Sequence, residues 1–283
     1  MSESPVIAVI AAGDMGSGVG RRLVESGCRV LTSLEGRSVA SRERAFAAGM
    51  ADAPDSEIAA ADMILSIVPP GDALALAERL SFALKAAETP ALYVDCNAVS
   101  PQTVSVIAGV IEAAGAPFVD AGIIGGAPKS GYTPVIYASG PEAARFAALN
   151  THAMDIRVMD GPVGQASAIK MCYAGLTKGL HAVGVAVIRG AIEAGVDEAF
   201  IAELASSQPQ LLAYFTGRTS GVFPKAYRWV AEMQEIGDFL GAEGEAIYDG
   251  AAALYERMAR DHEGSKTEEA ELLAFLNRAL PAN

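Results

Sequence analysis

Six residues near the start of the chain, Ala11-Ala12-Gly13-Asp14-Met15-Gly16, form the first arrangement with chemical meaning. They follow an apolar run over residues 6–11 and open a stretch of helical spacing over residues 15–27. This is the glycine fingerprint of a dinucleotide-binding turn, with alanine in place of its first glycine. Gly13 lets the backbone come close to a pyrophosphate, and Gly16 lets the helix lie against the strand. The start of the helix then offers unpaired N–H groups and a partial positive charge to the phosphates. Ala12, Gly13, Asp14, Met15 and Gly16 are therefore candidate cofactor contacts. A purely structural turn would use the same glycines, but the strand–turn–helix setting favours the ligand.

The end of the next apolar segment selects the cofactor. An acidic residue there binds the ribose 2′-hydroxyl of NAD, whereas an arginine accepts the 2′-phosphate of NADP. The sequence places both side by side in Leu34-Glu35-Gly36-Arg37-Ser38. Glu35 lies near the expected offset of ~20 residues from the glycines. Arg37 and Ser38 form a candidate phosphate clamp, which Arg42 could reinforce one turn later. The reading is NADP, with NAD as the alternative.

These residues need a scaffold, and the periodicity supplies one. Short apolar runs at residues 6–11, 29–34, 62–68, 91–95, 118–121 and 134–139 read as strands. Between them lie helical stretches at 15–27, 38–49 (with Ser38 as N-cap), 74–86 and 101–115. Alternation of this kind predicts an α/β sheet, mostly parallel and covered on both faces. From Gln165 onward the pattern is helical throughout, at 165–195, 198–208, 225–240, 243–259 and 266–280. Glycines inside the first of these helices mean that packing must hold it. The expected architecture is a Rossmann-type NAD(P)-binding domain over 1–163 and an all-helical substrate and dimerisation domain over 164–283, entered through one long helix. A chain of 283 residues accommodates two such domains.

Composition excludes several classes. Against 34 carboxylates there are 21 Lys and Arg, a net charge of −13, which repels nucleic acid and anionic lipid surfaces. No unbroken apolar run approaches a membrane span, and Met1 to Pro5 carries no basic residue, so no secretory leader is expected. Cys28, Cys96 and Cys172 are widely separated and odd in number, which fits a reducing, cytoplasmic compartment and predicts neither disulfides nor a metal site.

Four segments resemble the β-hydroxyacid dehydrogenase family, which includes 3-hydroxyisobutyrate and 6-phosphogluconate dehydrogenases. They are AAGDMGSGVG at residues 11–20, SIVPP at 66–70, VDCNAVSP at 94–101 and DAGIIGGAPKSG at 120–131. The resemblance implies hydride transfer between NAD(P) and a carbon bearing a hydroxyl. It implies that Val68, Pro69, Pro70 and Asn97 lie along the cofactor, and that Asn97, Ile124, Gly125 and Gly126 line the substrate. It also implies a homodimer. The spacing from Gly164 to Lys170 matches the family's catalytic lysine, a general acid/base. Such a lysine works as a base only if its pKa falls below about 10.4, which desolvation can achieve.

The departures from the family are informative. Its asparagines after the lysine are replaced by Tyr173 and Ala174, and the serine of its substrate loop by Ile124. Its Ser-Thr pair becomes Asn97-Ala98, and the Lys-Asp of its later helix aligns with Ala231 and Glu232. Lys170, Tyr173, Thr177 and His181 nonetheless share one helix face, with Lys178 beside it. Lys170 and Tyr173 are the catalytic candidates, and Thr177 joins them as a substrate contact; His181 reads as a packing residue. Two alternatives stay open: an imine or ketone reductase on the same scaffold, and a non-catalytic NADP-binding sensor. Lys170 argues against both.

Overall fold

A computed structural model describes residues 4–280. The expectation about Met1 to Pro5 therefore lies largely outside the described residues. In chain order the strands are β1 (Val6–Ile10), β2 (Arg29–Thr32), β3 (Ala51–Asp52), β4 (Met63–Ser66), β5 (Leu92–Asp95), β6 (Phe118–Ile124), β7 (Val135–Ser139) and β8 (Asp155–Val158). The helices interleaved with them are α1 (Asp14–Glu25), α2 (Val39–Ala47), α3 (Asp55–Ala59), α4 (Ala73–Ala86), α5 (Pro101–Ala113) and α6 (Ala143–Ala147). Then follow α7 (Gln165–Glu193), α8 (Asp197–Ser207), α9 (Pro209–Arg218), α10 (Ala226–Leu240), α11 (Ala242–Glu263) and α12 (Thr267–Arg278).

The chain forms two compact units that divide at Met171/Cys172. The boundary expected at 163/164 coincides instead with the entry to α7, and the division falls inside that helix.

In the first unit the eight strands form one sheet in the order β3-β2-β1-β4-β5-β6-β7-β8. Every pair is parallel except β6 with β7. Alternation along β1 sends Ile7 and Val9 into one hydrophobic layer, and Ala8 and Ile10 into the other. Helices cover both layers, as near-continuous apolar strands require. The strand order reverses beside β1, so the carboxyl ends of β1 and β4 open a crevice there.

Several elements exceed the sequence reading. β3 and α3 are short, and a helix as brief as α6 shows no period, so neither left a readable pattern. The second strand stops at Thr32, and buried Leu34 instead gives its N–H to Asp52 Oδ1 at 2.9 Å. α9 begins at Pro209, a proline at the first helical position.

The second unit is helical. Its core holds Leu212, Phe215, Phe223, Met233, Ile236, Tyr255 and Phe275. The interior glycines of α7 have packing reasons. A Cβ on Gly184 would stand 2.2 Å from the Phe215 ring, and one on Gly175 would stand 2.9 Å from the Tyr248 hydroxyl. At 29 residues, with a mean hydropathy of 1.3 over its most apolar window, α7 is long and apolar enough to cross a membrane by length and composition. It contains no unbroken apolar run of that length, since Lys170, Lys178 and Arg189 interrupt it, so the sequence reading stands on that point. Val, Ile, Leu and Ala carry the average here, and 44 % of that window is buried within the protein.

Candidate active site

The glycine turn sits where β1 ends and α1 begins. A Cβ on Gly16 would lie 1.8 Å from the Ala11 carbonyl oxygen, so the helix can approach the strand only through glycine. Gly13 is different: a Cβ there meets nothing within 4 Å, and the residue is exposed. The fold needs Gly16, whereas Gly13 faces open space. α2 and α5 are capped by the side chains of Ser38 and Ser100, but α1 has Gly13 as its N-cap and no side-chain cap. Its first N–H groups are left for another acceptor. The residues present therefore fit a dinucleotide pyrophosphate. Arg44, which the sequence reading passed over, donates from Nε to the Ala12 carbonyl at 3.0 Å and braces the turn from α2.

The segment after β2 divides its labour. Arg42 donates to the Leu34 carbonyl at 2.6 Å and to the Arg37 carbonyl at 3.3 Å, so it shapes the loop instead of reinforcing a phosphate clamp. The Ser38 hydroxyl accepts from the Ser41 N–H as a helix cap. Glu35 is exposed, and neither it nor Arg37 has a side-chain partner among the described residues. Arg37 is left as the cation of this loop.

Asn97 is a correction. It is 2 % exposed, and both ends of its amide are occupied. Oδ1 accepts from the Val68 N–H at 2.7 Å, and Nδ2 donates to Ser66 Oγ at 2.8 Å and Asp95 Oδ2 at 2.9 Å. It does not present a side chain to cofactor or substrate. It ties the loop after β4 to the loop after β5, setting Val68 in place ahead of Pro69, which is exposed, and Pro70.

The start of α7 is anchored by a residue that the sequence reading quoted without giving it a role. Asp120, on β6, is fully buried. Its Oδ2 accepts from the Gly164 N–H at 2.8 Å, the Ser167 N–H at 3.1 Å and the Ser139 hydroxyl at 2.9 Å; its Oδ1 accepts from the Ser167 hydroxyl at 2.7 Å. The Ala166 N–H reaches Ser139 Oγ at 3.0 Å. The sheet thus caps the helix with a carboxylate, the charge that a helix N-terminus favours. Gly164 takes φ +104°, which a side chain would resist. Close approach is enforced at Gly122, where a Cβ would lie 2.6 Å from the Ala166 carbonyl oxygen. A buried Asp on a strand gives no periodic signal of capping, so only the tertiary contact reveals it.

One turn beyond Ser167, the Lys170 ammonium donates to the Ile123 carbonyl at 2.7 Å. It is half-buried and stands at the carboxyl end of β6, next to the glycine loop. In that loop Ile124 is half-buried, while Gly125 and Gly126 are exposed. Gly125 has φ +127°, and the Gly126 N–H donates to the Tyr132 hydroxyl at 3.2 Å. Tyr173, one turn further along α7, is 48 % exposed, with no hydrogen-bond partner for its hydroxyl among the described residues. Thr177 uses its hydroxyl on the Tyr173 carbonyl at 2.8 Å, so its place as a direct substrate contact is weakened.

Residues 6–156 match the family described as the NAD binding domain of 6-phosphogluconate dehydrogenase, and residues 191–258 match one described as a domain of unknown function (DUF1932). An uncharacterized 28.5 kDa protein of Methanothermus fervidus is 28 % identical over 214 residues, 75 % of this chain and 81 % of that one. A solved protein of unknown function, described as structurally similar to 3-hydroxyacid dehydrogenases, is 29 % identical with TM-score 0.68, covering 91 % of this chain and 98 % of its own. Mycobacterium tuberculosis 3-hydroxyisobutyrate dehydrogenase with L-serine shares the fold at 20 % identity and TM-score 0.66, over 98 % and 99 % of the two chains. The dinucleotide turn foreseen from six residues and the match across more than half of the sequence agree: the chain belongs to the β-hydroxyacid dehydrogenase family, with that family's NAD-binding domain followed by a helical C-terminal region.

Proposed function

We propose that the protein is an NAD(P)-dependent oxidoreductase acting on the hydroxyl-bearing carbon of a small hydroxy-acid-like substrate, with Lys170 as general acid/base. The observation that carries this reading is the placement of Lys170 Nζ on the Ile123 carbonyl, at the end of a helix start pinned by Asp120. A nicotinamide supplies the hydride acceptor in oxidation and the hydride donor in reduction. The glycine turn and the uncapped start of α1 would hold the pyrophosphate. Lys170 Nζ would take the hydroxyl proton as the carbonyl forms and return it in the reverse direction. Tyr173 stands on the same face of α7 with a free phenol that can orient the substrate oxygen.

The cofactor proposed is NADP, because Arg37 has no side-chain partner among the described residues while Arg42 is committed to backbone carbonyls. A cytoplasmic setting is consistent with three free thiols. A homodimer is also proposed. On α7, Leu176 is 73 % exposed and Val183 59 %, and on α11 Ile247 is 63 % exposed, an apolar surface that a second copy would cover. Light scattering should then give about twice the chain mass of 29.1 kDa, and a mass equal to one chain would remove the dimer.

The decisive experiment is turnover of NADP and NADPH with a panel of hydroxy acids, keto acids and imines, in the wild type and in Lys170→Ala. Lys170→Ala should lower kcat by about 10²–10⁴ on the best substrate and leave dinucleotide affinity nearly unchanged. Near-wild-type kcat in the variant would end the lysine mechanism. A chain that binds nicotinamide yet turns over nothing in the panel would favour the sensor.

A further inference from the structure

One side chain that the proposed chemistry does not use fastens α1 to the loop after β6. Arg22, in the last turn of α1, is half-buried. Its Nη1 donates to Thr133 Oγ1 at 2.7 Å, and its Nη2 donates to the Lys129 carbonyl at 2.9 Å and the Tyr132 carbonyl at 3.2 Å. The planar guanidinium thus serves as a fork for three residues of one loop. The backbones can come this close because Gly18 faces the same loop. A Cβ there would stand 3.0 Å from Pro128 Cδ and 3.3 Å from the Pro128 carbonyl oxygen.

The loop turns tightly between Lys129 and Tyr132, which exchange backbone hydrogen bonds at 3.1 and 2.9 Å. From that turn the Tyr132 side chain folds back. Its hydroxyl accepts from the Gly126 N–H at 3.2 Å, and a Cβ on Gly125 would lie 2.1 Å from it. Tyr132 therefore makes a link: Arg22 holds its backbone, and its phenol holds Gly125 and Gly126. Having accepted that N–H, the phenol keeps its own proton to donate.

The exposed Gly125 lies two residues beyond Ile123, whose carbonyl accepts from Lys170 Nζ. Two residues of chain span about 7 Å at most. A substrate whose hydroxyl reaches Lys170 therefore lies beside this glycine edge. Arg22 itself is far from the dinucleotide turn: by helical rise it stands about 13 Å along α1 from Gly13.

We propose, resting on the oxidoreductase reading, that Arg22 is a positioning residue for the substrate: acting through Tyr132, it fixes the Gly125–Gly126 edge beside Lys170. It sets substrate affinity without touching the substrate, the cofactor or the transferred proton. A held edge stabilises bound substrate and transition state alike, so its loss raises KM and spares kcat. Lys170 keeps its place, because Asp120 and the Ile123 carbonyl lie outside the loop.

Two measurements on the full-length protein test this. Hydrogen exchange of the segment 124–134, without substrate, reads the loop. Steady-state kinetics with NADP and either 3-hydroxypropionate or L-serine, whichever turns over faster, read the site. Arg22→Gln should speed exchange in the segment by about tenfold and raise KM by about tenfold, with kcat changed by less than about twofold. Its NADP affinity and thermal midpoint should stay near those of the wild type. Arg22→Lys should not rescue either readout, since an ammonium cannot replace the fork. Tyr132→Phe removes only the hydroxyl that joins the turn to Gly126 and should raise KM in the same way. The double variant Arg22→Gln/Tyr132→Phe should be no worse than the worse single one, as two parts of one link require. Arg21→Gln, next to Arg22 and exposed, should change nothing. Unchanged exchange in Arg22→Gln overturns the clamp. Faster exchange with unchanged KM, or with a fall in kcat alone, overturns the positioning role. Should Arg22→Gln not fold, an unchanged KM in Tyr132→Phe overturns it equally. A wild type that turns over neither probe nor any member of the wider panel ends the oxidoreductase reading and this inference together, whereas wild-type turnover with unaltered variants ends this inference alone.

Discussion

The two units use their polar side chains differently. Around the sheet, those groups serve the backbone: Asp120 caps α7, Asn97 clamps two loops, and Arg42 and Arg44 hold carbonyls. In the helical unit Arg218 and Lys225 are exposed and, among the described residues, meet no carboxylate, and the buried Nε2 of His181 has no hydrogen-bond partner there. A polar group satisfied inside the protein fixes geometry, whereas an exposed one is satisfied by water and stays available to a ligand. This contrast separates the residues that position a site from the residues that contact a ligand.

The largest test of the contrast lies within one turn. Gly16→Val should leave little folded protein, because its side chain overlaps a backbone oxygen that cannot step aside. Gly13→Val should fold with a near-normal thermal midpoint yet lose dinucleotide binding, since open space surrounds it. Normal cofactor titration of Gly13→Val would remove the pyrophosphate from this turn. Equal stability of the two variants would remove the distinction between fold glycine and ligand glycine.

Next in size is Asp120. Asp120→Ala leaves buried N–H groups and hydroxyls without an acceptor and should cost about 2–5 kcal/mol in denaturant unfolding. Asp120→Asn keeps one acceptor oxygen and should fall between the variant and the wild type. A loss below about 1 kcal/mol for Asp120→Ala would mean that water replaces the carboxylate and that α7 does not depend on the sheet for its start.

The smallest effect is expected at Arg37, where binding changes and stability does not. NADPH should bind more tightly than NADH, and Arg37→Ala should erase about 1.5–3 kcal/mol of that difference. A wild-type preference for NADH would assign the loop to Glu35. Arg42→Ala should instead lower stability with little change in cofactor preference, and the reverse result would exchange the two arginines.

Much of the first unit was legible because its signals are local. Period-two and helical runs, the glycine turn, and Ser38 and Pro101 at helix starts depend on neighbours along the chain. The long helix after Gly164 was legible for the same reason, and its glycines were correctly read as needing packing, which Phe215 and Tyr248 supply. β3, α3, α6, β8 and α9 were missed because short elements carry too few residues to show a period, or abut another helix.

What the sequence determined by itself was the alternation of the longer strands and helices, the strand–turn–helix around Gly13 and Gly16, and the place of Lys170 near the start of the long helix, since each follows from residue type and spacing along one strand or helix. The tertiary structure decided which polar side chains were already occupied. It turned Asn97 from a ligand contact into a clamp, gave Asp120 its role as a cap, and packed His181 against Tyr214 and Phe215 with its Nε2 left without a hydrogen-bond partner among the described residues. The physical reason is that hydrogen-bond satisfaction is settled between residues distant in sequence, such as Asp120 and Gly164, and no local pattern records which partner a buried polar group will find.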